Sequence, residues 1–129
     1  MEEEKKKREP RFGIVNLERR KYPRVTVDLP IEYYRIDSSI RQTGRVQNAS
    51  EGGLLLYLTE QMAIGQELKI KLFFTSGGEL NTIEMLAQVA WKDIHLDQGG
   101  EDYRAGVRFI DISPENLDKL KNFLQSLMK

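Results

Sequence analysis

Leu68-Lys-Ile-Lys-Leu-Phe-Phe74, then Ser76-Gly-Gly78, then Ile83-Glu-Met-Leu-Ala-Gln-Val-Ala-Trp91: these two runs and the break between them decide the architecture. Leu68, Ile70, Leu72 and Phe74 alternate with Lys69, Lys71 and Phe73, the period of a strand with one buried face. Two consecutive glycines after a serine form a hairpin-type break. Beyond it, Ile83, Met85, Ala87, Val89 and Trp91 share one face, opposite Thr82, Glu84, Gln88 and Lys92, which assigns the Trp91 ring to the core side. The same period recurs upstream. Val25, Val27, Leu29, Ile31 and Tyr33 alternate with polar neighbours, and Pro30 marks an edge or a bulge because it cannot donate to a ladder. A weaker strand over 41–47 leads into the turn Asn48-Ala-Ser-Glu-Gly-Gly53, and a return strand runs from Gly53 to Leu58. Downstream, Asp97-Gln-Gly-Gly100 turns the chain into a last strand with Tyr103, Ala105, Val107 and Phe109 on one face.

The C-terminal stretch has a different period. Ser113-Pro-Glu-Asn puts a capping hydroxyl before a proline at the first helical position, with an acid in the first turn. Leu117, Leu120, Leu124, Leu127 and Met128 then recur at helical spacing, which predicts an amphipathic helix over about 114–128. Short strands punctuated by glycine turns and followed by one helix suggest a closed antiparallel barrel over about 24–111. Residues 1–18 read as an arm, with Phe12, Ile14, Val15 and Leu17 available to anchor it or to self-associate.

A chain of 129 residues fits one domain with enough interior for a real core. With no cysteine, thiolate–metal, disulfide and thiol-nucleophile chemistry are excluded. His95 is the sole histidine, which removes a multi-histidine metal site; beside Asp93 and Asp97 it reads as a turn residue rather than an acid–base catalyst. Five residues, Leu54 to Leu58, make the longest apolar run, far too short to cross a bilayer, and the expectation is a cytoplasmic protein without membrane insertion. The net charge of zero hides an imbalance: residues 1–24 carry a surplus of four positive charges, and the remainder the matching four negative ones. A local cationic segment suits a small anion better than a long nucleic acid, which needs a basic face across the domain.

Two clusters carry chemistry. In Glu18-Arg-Arg-Lys-Tyr-Pro-Arg24, Arg20 and Arg24 lie four apart and Pro23 keeps the chain between them out of a continuous helix. Guanidinium is a planar fork that grips phosphate bidentately, takes the O6/N7 edge of guanine, and stacks on π-faces. The second cluster is the 48–53 turn. Asn48 supplies an amide, Ser50 a hydroxyl, and Gly52 and Gly53 permit positive φ and close backbone approach. Either cluster alone is ordinary: solvated basic residues before a strand, and a common hairpin turn.

Taken together they are more specific. Arg20-Lys-Tyr-Pro-Arg24 fits Arg-x-x-x-Arg, and Asn48-Ala-Ser-Glu-Gly-Gly53 fits Asp/Asn-x-Ser-x-x-Gly. In this order the chain resembles the PilZ domain family of bacterial cyclic-di-GMP receptors, with support from Val89-Ala-Trp91 and from Tyr103-Arg-Ala-Gly-Val-Arg-Phe109. The resemblance implies a PilZ domain over 19–129: a six-stranded antiparallel β-barrel with one C-terminal α-helix, preceded by a flexible N-terminal arm. It also implies cyclic-di-GMP as ligand, with no other cofactor and no metal. Arg20 and Arg24 would hold phosphates and guanine edges, Asn48 and Ser50 would bond guanine, Gly53 and Gly52 would keep the loop open, and Trp91 would be available to flank a base. An arginine at position 19 goes, in the family, with an intercalated ligand dimer. Arg19, Arg20 and Arg24 repel one another until a ligand bridges them to the turn, so binding would order the arm and present a surface to a downstream protein. Two alternatives remain beside this one: a PilZ-like interaction module that does not bind the dinucleotide, and a small barrel for single-stranded nucleic acid, which would need a basic-aromatic groove. Homodimerisation through the helix stripe or the arm is also open.

Overall fold

The computed structural model describes residues 24–97 and 100–128. Six strands form in chain order: β1 Val25–Arg35, β2 Gln42–Ala49, β3 Gly53–Leu58, β4 Glu67–Ser76, β5 Glu79–Asp97 and β6 Gly100–Asp111. The helix α1 spans Pro114–Leu127. All pairings are antiparallel, and the sheet closes into a barrel in the order β1-β2-β3-β6-β5-β4.

Alternation along the chain becomes inside and outside of the barrel. Ile31, Tyr33, Val46, Leu54, Leu56, Leu58, Leu68, Ile70, Leu72, Ile83, Ala87 and Val89 form one buried cluster, and the lysines of β4 point away from it. Pro30 sits just before β1 begins to pair with β4 at Ile31, so its missing N–H takes nothing from that ladder. The β4–β5 hairpin closes through Gly77 and Gly78, both left-handed at φ 61° and 82°, between the paired residues Ser76 and Glu79. Two positive φ values in a two-residue loop match the right-handed twist of the strands, and glycine takes them without a Cβ penalty.

Helix α1 covers part of the barrel. Its first N–H groups are capped by Ser113, whose Oγ accepts from the Asn116 N–H at 3.1 Å, and Pro114 follows at the first helical turn. Leu120 and Leu124 are buried, and the Phe123 ring lies 4.3 Å from that of Phe74 on β4. Leu127 and Met128, on the same stripe, stay exposed, so the helix runs past the surface that buries it. The Asn116 amide donates to the Glu84 carbonyl at 3.2 Å and ties the helix start to β5. None of the described helices is long and apolar enough to cross a membrane.

One polar group inside the cluster is satisfied in place. The Tyr33 hydroxyl donates to Glu60 Oε2 at 2.8 Å, and Arg35 donates to Glu60 Oε1 at 2.6 Å. Burial, then the hydrogen bond and charge of Glu60, hold the Tyr33 pKa well above the usual tyrosine range, so it remains a neutral donor.

Candidate functional site

The 48–53 turn is shaped by its own serine. The Ser50 N–H donates to the Gly53 carbonyl at 2.9 Å, and the Ser50 hydroxyl accepts from the Gly52 N–H at 3.1 Å while donating to the Gly53 carbonyl at 3.4 Å. Ser50 is buried. A hydroxyl has one hydrogen and two lone pairs, so these bonds leave a single lone pair. Holding the turn is therefore what its side chain visibly does. Asn48 stands on β2 beside register shifts against both neighbours: Gln47 is the extra residue against β3, whereas against β1 the extra residue lies on β1 between Thr26 and Leu29, and Asn48 pairs with Thr26 and Leu55. A bulge re-aims the residue that follows it, and here that residue is Asn48.

Gly53 does a different task from the one its sequence context suggests. Its φ is not left-handed; instead, a Cβ built on it would lie 2.1 Å from the Val107 carbonyl oxygen. The absent side chain lets β6 approach β3, and the Phe109 N–H then donates to the Gly52 carbonyl at 3.0 Å. The turn is thus fastened to the last strand. On its other flank, Glu51 lies 3.9 Å from Lys121 of α1.

Trp91 leaves the face that simple alternation gives it. The β5–β6 register shifts between Val89 and Trp91, so Ala90 is the extra residue, Val89 stays buried, and Trp91 is 37% exposed. A bulge changes the phase of a strand by one residue, which turns the ring from the core to the outer surface. There the indole lies over Gly106, where a built Cβ would fall 2.1 Å from Nε1. Gly106→Ala is expected to push the indole off this shelf, giving a red-shifted tryptophan emission with little change in melting temperature. Unchanged emission would mean that the ring does not rest on the glycine.

These residues share one place. Arg24, Asn48, Ser50, Gly52, Gly53 and Trp91 line an open groove of about 250 Å³ on the outside of the barrel. Arg24 reaches it because the next residue, Val25, pairs with Ala49 at the mouth of the turn. Arg19 and Arg20 lie outside the described residues. So does the arm over 1–18.

Sequence reasoning missed Arg108, which lines the same groove. It is exposed on β6, in register with Gly53 on one side and with Gln88 on the other, and its guanidinium donates to Gln88 Oε1. The signal was available: period two along β6 places Arg108 outside when Val107 is inside. The groove therefore offers two guanidinium groups, an amide and an indole face, groups that together grip phosphate and a flat base. Among the described residues, no three His, Asp or Glu side chains gather as a metal site requires.

A family model described as the PilZ domain matches residues 18–126. Solved structures share the fold at low identity. Bacillus subtilis inhibitor of motility (MotI/DgrA) is 19% identical with a TM-score of 0.68, over 84% of this chain and 50% of that one. The PilZ domain of YcgR from Escherichia coli, solved with c-di-GMP, is 18% identical with a TM-score of 0.67, over 85% and 92%. The K. pneumonia MrkH–c-di-GMP complex is 17% identical with a TM-score of 0.70, over 84% and 51%. The chain thus spans about half the length of the first and third of these proteins. No curated protein matches it.

Proposed function

The chain belongs to the PilZ domain family, and on that premise we propose that it is a receptor for cyclic-di-GMP, a binding protein rather than an enzyme. The observation that carries this reading is the convergence of Arg24, the 48–53 turn and Trp91 on one external groove. Arg24, the last residue of the first motif, and the distant 48–53 turn line one groove, which supports a shared ligand.

The chemistry of the groove suits the two halves of such a ligand. Arg24, joined by Arg20 and Arg19 from the preceding segment, supplies planar cations for the phosphates and guanine edges. Asn48 presents amide hydrogens and an oxygen to a guanine, and Trp91 presents a π-face. Three clustered arginines repel one another, and a ligand with two phosphates removes that cost. Binding therefore favours a state in which the segment before β1 lies across the groove, and ligand affinity becomes coupled to its position. The composite surface of segment and barrel is what a downstream protein would recognise. The third arginine, Arg19, supports an intercalated pair of ligand molecules rather than one.

Isothermal titration of the full chain with cyclic-di-GMP tests this. The expected result is saturable heat with two ligands per chain, weakened by added salt as surface charge is screened. One ligand per chain would overturn the intercalated pair and leave the receptor. No heat with the dinucleotide would overturn the receptor itself. If a single-stranded oligonucleotide bound instead, with a steep loss in salt, the chain would be a nucleic-acid barrel.

A further inference from the structure

The groove has a wall that neither motif supplies. On its β5–β6 side, the ladder carries Trp91 opposite Gly106 and Gln88 opposite Arg108, with the inward Val89–Val107 pair and the bulged Ala90 between them. The indole covers Gly106, and the Arg108 guanidinium reaches across to β5, toward the strand that carries the indole. Ring and guanidinium thus line the same outer groove.

Arg108 is held from three directions. Its backbone is in register with Gly53, and the following N–H, that of Phe109, is bonded to the Gly52 carbonyl. Its side chain is held by Gln88, which is itself anchored: the Gln88 Nε2 donates to the Gly65 carbonyl at 3.3 Å while its Oε1 accepts from Arg108. An exposed arginine normally samples many rotamers, and ordering it costs binding energy. Here much of that ordering is done before a ligand arrives, which is what a site for selective recognition needs. The bond to Gln88 engages one of five N–H donors.

We propose that Arg108 is a ligand-binding residue that reads the O6/N7 edge of the guanine seated on Trp91, with Gln88 as its positioning residue. The inference rests on the cyclic-di-GMP reading above. A base laid on the indole would turn its edge along the groove that Arg108 also lines, which leaves Arg24 for a phosphate. Guanidinium is the side chain whose fork matches two acceptors on one edge, and lysine lacks the second donor direction.

The test is a coupling measurement. Wild type, Arg108→Ala and Arg108→Lys are titrated with cyclic-di-GMP and with its 7-deaza analogue, in which N7 becomes C–H. Arg108→Ala is expected to weaken cyclic-di-GMP by about 10- to 100-fold, and Arg108→Lys not to restore it. The penalty for losing N7 is expected to be smaller in Arg108→Ala than in the wild type by about 5-fold or more, because the partner atom is already gone. Melting curves should coincide, since the residue is exposed. An equal N7 penalty in both proteins, or rescue by lysine, overturns edge reading in favour of simple charge, and unaltered affinity in Arg108→Ala overturns any contact. In each of those cases wild-type binding persists and the receptor reading stands. If the wild type itself fails to bind, both fall.

Discussion

Gly53→Ala is expected to melt about 10 °C or more below the wild-type chain, even though the substitution adds one methyl group to a turn. The new Cβ would sit 2.1 Å from the Val107 carbonyl oxygen and 3.2 Å from the Arg108 Cα. Both obstacles are backbone, so no rotamer change relieves them. Either β3 and β6 separate, losing ladder bonds at the end where the Phe109 N–H meets the Gly52 carbonyl, or the turn shifts. Overpacking of this kind costs about 3 kcal/mol, near the top of the usual range. For a domain of this size that corresponds to a loss of roughly 10 °C. Thermal melts followed by circular dichroism check it. A midpoint within about 2 °C of wild type would mean that the close approach of the strands is not a constraint. Any loss of ligand affinity in this variant must be read with its stability, because the glycine of the binding motif is also the hinge pin of the β3–β6 pairing.

That dual duty explains what the sequence discloses and what it hides. Gly53 to Leu58 was legible to the residue, since a glycine pair precedes three inward leucines, Leu54, Leu56 and Leu58. The hairpin at Gly77 and Gly78 was equally plain. By contrast, β2 runs to Ala49 although alternation supports it only to Gln47, because a bulge at Gln47 breaks the period beside Asn48. Bulges have no fixed residue signature, and the one at Ala90 has a larger effect: it turns Trp91 from an expected core ring into a partly exposed ring lining the groove. Gly53 looked like a source of positive φ and proves to be a point of strand contact. Arg108 reads in the sequence only as one outward residue of the last strand, because its nearness to the turn depends on the Gly53–Arg108 register, a long-range pairing that local patterns do not encode.

Arg24→Ala is expected to weaken cyclic-di-GMP binding by about 30-fold or more while leaving the barrel folded. Arg24 stands exposed immediately before β1 and lines the groove, so the fold loses at most about 1 kcal/mol with it. The ligand loses more. A phosphate or guanine edge brought against Asn48 and the 48–53 turn is partly stripped of water, and cutting one partner of such a charge-assisted contact costs roughly 2–5 kcal/mol. Two kcal/mol is about 30-fold in the dissociation constant. Arg24→Lys separates charge from geometry: lysine keeps the attraction and its salt dependence but lacks the fork, so an intermediate loss is expected. Titration calorimetry of the three proteins at two salt concentrations reads all of this. Should Arg24→Ala bind as tightly as the wild type, the arginine motif and the turn would not act on one ligand, and their meeting at the groove would be a matter of barrel closure alone.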